Sequence, residues 1–176
     1  MFYNRPNLGS FVGVGPSIRD QSEAKLFAQA VKQKLLIFGI CRGAQLGCAL
    51  SGGLIVQDVQ GHNNSHRIVT NDGKTLLSSS IHHQMMYPWE VEHRLIAWSI
   101  RPLSADYRGL SEAEIRKWPT REYGENEKRM DVIEPEIVWF PTTKCLAIQG
   151  HPEMQSDTCD FNRYLKTLTH EYYHHQ

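Results

Sequence analysis

Cys41 stands between Gly39 and Gly43 in the stretch Phe38-Gly39-Ile40-Cys41-Arg42-Gly43-Ala44-Gln45-Leu46-Gly47, directly after the apolar run Leu35-Leu36-Ile37-Phe38. The apolar run predicts a buried strand, Ala44 to Leu50 predicts a short helix, and Ser51-Gly52-Gly53 ends it. The cysteine therefore occupies a sharp strand-to-helix turn. Residues two before and two after such a turn must be small, and the nucleophile is lifted out of the sheet in a strained conformation. A helix beginning just behind the cysteine directs free N–H groups and partial positive charge toward the sulfur. That favours thiolate over thiol and allows the same N–H groups to hold an oxyanion. The plainer reading is a buried cysteine packing as a small hydrophobe at a tight junction.

A thiolate that attacks an amide requires a general acid, usually histidine, and a group that orients it. Cys145 to Gln149 reads as a strand and is followed at once by Gly150-His151-Pro152-Glu153. In extended geometry His151 and Glu153 point to the same side, and Pro152 stiffens the link while removing a competing N–H, so Glu153 can hold the imidazole. Alone, a strand-end histidine beside a glutamate is an ordinary surface pair. Joined to the cysteine turn, it supplies the missing acid/base and its orienter.

The remaining histidines give no comparable pattern. Thr169-His170-Glu171-Tyr172-Tyr173-His174 contains the letters H-E-x-x-H of a zinc protease helix, but at the end of this sequence no downstream ligand can follow. It reads as a chance match. His62 and His66 are four apart in Gly-His-Asn-Asn-Ser-His, where Asn63-Asn64 predicts a solvated loop. His82 and His83 are adjacent, and adjacent strand residues face opposite ways, so at most one joins any single site. No metal and no cofactor is assigned.

The elements that would position these residues follow from periodicity and turn signals. A helix is predicted from Ser22 to Lys34, capped by Asp20, with Ala24, Phe27, Ala28 and Val31 at helical spacing. Strands are predicted at Leu35–Phe38, Leu54–Val59, Arg67–Thr70, Leu95–Ile100, Ile137–Phe140 and Cys145–Gln149, and a closing helix from Asp160 to Tyr173. That rhythm is α/β. Between about 101 and 135 the sequence is strongly polar, with a capping-box start at Ser111, and is predicted as an excursion from the sheet, a lid.

With 176 residues, 40% of them hydrophobic, the chain is expected to form a single domain over 1–176. Nineteen basic residues against nineteen acidic ones leave no global field for nucleic acid or an anionic membrane, and the aromatic residues around Trp118 and Tyr123 have no basic cluster beside them. The opening MFYNRPNLGS lacks a signal-peptide pattern, no apolar run approaches membrane-spanning length, and Cys41, Cys48, Cys145 and Cys159 form no C-x-x-C pair. The expectation is a cytoplasmic protein with free thiols and a small ligand.

Gly-Ile-Cys-Arg-Gly-Ala-Gln-Leu-Gly together with Ile-Gln-Gly-His-Pro-Glu-Met resembles the paired signatures of the class I glutamine amidotransferase superfamily, whose members use a Cys-His-Glu triad on an α/β sheet. With Ser-Ser-Ser-Ile-His-His-Gln-Met-Met added, the chain looks most like the γ-glutamyl-peptide hydrolase branch, which includes γ-glutamyl-γ-aminobutyrate hydrolases. The likeness runs from about Arg19-Asp20 to Glu153. It implies a flavodoxin-like fold with a mostly parallel central sheet flanked by helices. It also implies roles: Cys41 the nucleophile, His151 the acid/base, Glu153 its orienter and the Arg42 N–H an oxyanion donor. Gln45, Ser80, His82, His83 and Gln84 would line the site for the glutamyl end of a small γ-glutamyl substrate. The implied reaction is hydrolysis of a γ-glutamyl amide through a thioester. Two alternatives stand beside it, a glutaminase component that passes ammonia to a separate synthetase and a catalytically silent binding or regulatory relative. Members of the family carry further strands ahead of the first helix, one of which ends in a loop giving a second oxyanion N–H. The resemblance therefore implies an amino-terminally truncated fold, poorly active alone and dependent on a partner chain or prone to self-association.

Overall fold

Ser17 opens the first helix, α1 (Ile18–Lys32). Its hydroxyl accepts from the Asp20 N–H at 3.1 Å, and the Asp20 carboxylate accepts from the Ser17 N–H at 2.8 Å, a reciprocal capping box. The helix therefore starts ahead of the predicted Ser22, because Asp20 is the acidic arm of the box and not the cap. The computed structural model describes residues 17–104, 107 and 133–174, the side chains of 173 and 174 apart. The segment ahead of Ser17 and most of the predicted polar excursion at 101–135 lie outside these residues.

The strands are β1 (Ile37–Ile40), β2 (Leu54–Val56), β3 (His66–Thr70), β4 (Thr75–Ser78), β5 (Met85–Tyr87), β6 (Arg94–Ser99), β7 (Pro135–Phe140) and β8 (Cys145–Ile148). Helix α2 (Arg42–Leu50) follows β1 directly, and α3 (Asp160–His174) closes the described chain. Six strands form one sheet in the order β1-β8-β7-β6-β3-β4, while β2 and β5 pair in a separate antiparallel ribbon. Two of these strands, β4 and β5, have no counterpart among the predicted ones.

The sheet is mixed, and this corrects the mostly parallel expectation. Among the described strands only β1 with β8 is parallel, with Ile37 opposite Cys145 and Ile40 opposite Ile148. The other four pairings in that sheet are antiparallel. For two of the four, β3–β4 and β7–β8, the reason lies in the connections. A parallel pair needs a crossover of a dozen or more residues, whereas β3 reaches β4 through Asn71-Asp72-Gly73-Lys74 and β7 reaches β8 through Pro141-Thr142-Thr143-Lys144. In those turns Gly73 and Lys144 take left-handed φ values of 92° and 53°.

Alternation along the central strands buries both faces. On β7 and β8, Ile137, Trp139, Leu146 and Ile148 pack with Phe161, Leu165 and Leu168 of α3. The intervening Val138, Phe140, Cys145 and Ala147 pack with Ala44 and Cys48 of α2. The sheet is thus the middle of three layers, with the helix that follows Cys41 on one face. At the edge formed by the described strands, β1 leaves Phe38 43% and Ile40 40% exposed. Among the described residues no helix is long and apolar enough to cross a membrane.

Candidate active site

Cys41 is the single residue between β1 and α2 and adopts φ 49°, ψ −108°, a conformation that a residue with a Cβ rarely takes. The turn is tight because of Gly39: a Cβ there would lie 2.4 Å from the Gly43 carbonyl oxygen. Gly43 has a different role from the one predicted. A Cβ at Gly43 would meet nothing within 4 Å, so the close approach is made by its backbone, and smallness is required on the strand side alone.

The parallel register brings the two predicted halves together. Cys41 follows Ile40, whose partner on β8 is Ile148, and the Cys41 N–H donates to the Ile148 carbonyl at 2.8 Å. Three residues beyond Ile148 comes His151, so the cysteine and the histidine leave the carboxyl ends of adjacent strands. Gly150 allows that exit, since a Cβ on it would fall 2.1 Å from the Ser78 hydroxyl.

His151 Nδ1 donates to Glu153 Oε1 at 2.6 Å. The link is a single 3₁₀ turn, Pro152–Met154, and not the extended geometry predicted for it. Proline at its first position fits, because that position needs no N–H partner. Asn162 of α3 donates to the Pro152 carbonyl at 2.9 Å and fixes the turn from below. The other ring nitrogen, His151 Nε2, is buried and has no hydrogen-bond partner among the described residues. Partial burial alone would raise the Glu153 carboxyl, but the His151 hydrogen bond, the Glu153 backbone N–H and the charge of the imidazole together outweigh it and hold the group below its ordinary range.

The sulfur departs from expectation. Burial pushes the Cys41 thiol up, the Arg42 N–H that donates to the sulfur pulls it down, and the negative charges of Glu153 and Glu136 push it up again, with a net rise. The amino terminus of α2 therefore does not by itself give a resting thiolate. Burial raises Cys48 and Cys145 further, Cys145 to about 12. All four cysteines are free thiols.

The residues predicted to line the site divide into three groups. Gln45 and Gln84 join: the Gln45 side-chain amide donates to the Gln84 carbonyl at 2.8 Å, and both border a cleft that Asp20, Arg42, Leu46 and Ile55 also line. Cys41 does not line that cleft. The Arg42 guanidinium, paired with Asp20 and Glu23, ties α2 to α1 at its rim. His82 and Ser80 are buried instead. His82 Nδ1 donates to the same Gln84 carbonyl at 2.9 Å, and the Ser80 hydroxyl donates to the His62 carbonyl. His83 is exposed and holds Val59 only through its backbone carbonyl, at 2.7 Å.

His62 and His66 lie in no solvated loop, contrary to the prediction. His62 is fully buried, and His66 begins β3. His62 Nε2 lies 3.0 Å from Glu134 Oε2, and His66 Nε2 lies 2.8 Å from Glu136 Oε1. Burial alone would lower His62, but the two carboxylates outweigh it and raise the imidazole to about 9. His82, buried without such a partner, is lowered to about 4.

Sequence reasoning passed over Ser79, whose carbonyl accepts from the His151 N–H at 3.0 Å and whose hydroxyl donates to the His151 carbonyl. The signal available was the run Ser78-Ser79-Ser80, three small polar residues ahead of a histidine pair. Glu134 and Glu136 were likewise missed. They are two apart across Pro135 at the start of an apolar strand, a position where carboxylates are rarely buried without a partner.

The sequence profile of the peptidase C26 family matches residues 4–100, more than half of the chain. Among solved structures, a glutamine amidotransferase from Thermotoga maritima is similar at 14% identity and TM-score 0.53, covering 91% of this chain and 60% of that one. A candidate GMP synthase component from Thermoplasma acidophilum is similar at 14% identity and TM-score 0.51, covering 84% of this chain and 64% of that one. The chain thus spans less than two thirds of either relative. No curated protein sequence matches it significantly.

Proposed function

The chain belongs to the peptidase C26 family, within the class I glutamine amidotransferase-like superfamily, and on that premise we propose that its 1–176 domain hydrolyses a γ-glutamyl amide through a thioester on Cys41. The observation that carries the reading is the β1–β8 register, which sends Cys41 and a Glu153-held His151 from the ends of neighbouring parallel strands.

The steps follow from the atoms. With Nδ1 committed to Glu153, His151 presents Nε2 as the proton acceptor for the thiol. Since burial and the two carboxylates disfavour a resting thiolate, proton transfer accompanies attack on the γ-carbonyl. The Arg42 N–H, already directed at the sulfur, is placed to share the oxyanion. Imidazolium then protonates the departing amine, and water deprotonated by His151 releases glutamate from the thioester. Gln45 and Gln84, on the bordering cleft, are the candidates for the glutamyl end. His82 holds the Gln84 carbonyl behind the cleft, Ser80 is tied to the His62 carbonyl, and His83 is exposed.

The test is glutamate release from a panel of γ-glutamyl amides, glutamine included, by the full chain and by Cys41→Ala. Release by the wild type alone supports the reading. Equal release by both, or none from any substrate, overturns it. A second reading, in which the domain works against another chain, is supported by the exposed Phe38 and Ile40 on β1, the edge of the sheet among the described strands. It predicts that turnover rises when the partner chain is added.

A further inference from the structure

His62, His82 and Glu136 are 0%, 3% and 1% exposed, and one donor atom from each lies within 4.8 Å of the other two. Each of the three is anchored through one polar atom and leaves the other without a hydrogen bond. His62 Nε2 is held by Glu134 at 3.0 Å, and Nδ1 is unbonded. His82 Nδ1 is held by the Gln84 carbonyl at 2.9 Å, and Nε2 is unbonded. Glu136 Oε1 accepts from His66 at 2.8 Å and Ser99 at 3.3 Å, and Oε2 is unbonded. The two imidazoles lie face to face, 4.8 Å between centroids.

Buried polar atoms are satisfied almost without exception, so three orphans in one cluster require a common explanation. The buried polar side chains among the described residues include two glutamates here and no lysine or arginine. A proton shared between His62 Nδ1 and Glu136, 3.3 Å apart, would answer one orphan and leave His82 Nε2 unbonded. A single cation would answer all three.

We propose that His62, His82 and Glu136 bind a divalent transition-metal ion, zinc in the first instance. Two imidazoles and a carboxylate are a preferred zinc donor set, with a fourth position for water. The anchoring atoms are what such a site needs around it. A metal-bound histidine characteristically gives its second nitrogen to a carboxylate or a backbone carbonyl, which fixes the ring and its tautomer. Here Glu134 and the Gln84 carbonyl fill those two roles, and His66 steadies the carboxylate. The Glu134 carboxylate is itself fixed by the Leu103 N–H at 2.9 Å and the Ser104 N–H at 2.7 Å. Zinc–nitrogen and zinc–oxygen bonds of about 2.0–2.2 Å require the three donors to draw inward slightly from their present spacing. The site is separate from the proposed Cys41 chemistry and does not depend on it. It meets that chemistry at two points, the Gln84 carbonyl, which holds both His82 and Gln45, and the charge of Glu136, which bears on the Cys41 thiol.

The experiment uses the full chain, stripped with a chelator and titrated with Zn²⁺ and Co²⁺ alone. One equivalent bound, visible bands of a four-coordinate cobalt ion and a raised thermal midpoint are expected. His82→Ala and Glu136→Gln should each weaken binding by more than tenfold, and His66→Gln by about 10- to 100-fold or less, as for outer-shell partners. If those variants fail to fold, X-ray absorption of the zinc-loaded wild type still decides: two imidazoles plus oxygen support the site, and any other set overturns it. Absence of stoichiometric binding to the stripped wild type overturns it as well. So does a cobalt spectrum that survives His82→Ala and Glu136→Gln but disappears in His170→Ala, which would put the ion on α3.

Discussion

Ser79 grips the backbone of His151 from both sides, its carbonyl accepting the His151 N–H at 3.0 Å while its hydroxyl donates to the His151 carbonyl. The imidazole is thereby aimed by two devices, this clamp and the Glu153 hydrogen bond. Ser79→Ala keeps the first bond and leaves the His151 carbonyl short of a donor. Stability should fall by about 0.5–1.5 kcal/mol, and kcat on the best γ-glutamyl substrate should fall by roughly 10- to 100-fold with little change in KM. Steady-state kinetics and urea unfolding check it, and an unchanged kcat would remove Ser79 from the positioning machinery.

The two glycines that flank Cys41 should respond in opposite ways. Gly39→Ala forces a methyl into the Gly43 carbonyl oxygen and is expected to cost about 1–3 kcal/mol. Gly43→Ala adds a methyl that meets nothing, inside a helix where alanine is favoured over glycine by roughly 0.5–1 kcal/mol, and should stabilise the fold. Denaturant midpoints of the two variants measure the contrast.

The thiol chemistry carries a sign that alkylation can read. Because burial and the Glu153 charge raise Cys41, its iodoacetamide rate should climb with pH toward a midpoint above the ordinary thiol range. Removing that charge in Glu153→Gln should move the midpoint down, while turnover falls. Cys48 and Cys145, raised further by burial, should stay unlabelled in the native protein. Mass spectrometry of labelled peptides across pH distinguishes these outcomes, and an upward shift in Glu153→Gln would contradict the charge argument.

Beside the thiol, where both helices begin, Asp20 couples the α1 cap to Arg42. Burial opposes its ionisation, but the Ser17 and Arg42 bonds outweigh it and hold the carboxyl below its usual value. A depressed carboxyl contributes stability that is present above the unfolded value and lost as pH falls through the folded one. The advantage of wild type over Asp20→Asn should therefore be constant above about pH 5 and should shrink steadily toward pH 2. Thermal midpoints of both proteins across that range provide the check.

The elbow was legible because local letters specify it. A strand, a glycine two residues before a cysteine and a helix start within a dozen residues, so sequence alone placed Cys41, and the His151–Glu153 pair followed from similarly short range. The sheet's sense was not. Two of its antiparallel pairings, β3–β4 and β7–β8, depend on whether the chain turns back within four residues or crosses over, and Asn71-Asp72-Gly73-Lys74 was the turn signal that went unread. His62 was misread for a related reason. Its loop is polar by composition, and what buries it is Glu134 and Glu136, about seventy residues on in the chain. No local pattern announces a partner that distant.

The pairing of β1 with β8 also has a kinetic meaning. Ile37 meets Cys145 across more than a hundred residues, and among the described strands this is the only parallel joint in the six-stranded sheet, whereas β3–β4 and β7–β8 can zip through short turns. Closing the longest loop costs the most chain entropy before any contact rewards it, so contacts of this range form slowly. Cys41 and His151 become neighbours only at that step. Among the described strands β1 also stands at the edge, with Phe38 and Ile40 exposed, which places it among the segments that open with least free energy. The two halves of the proposed site are therefore joined late as the protein folds, and a fraying edge can part them while the hairpins behind still hold.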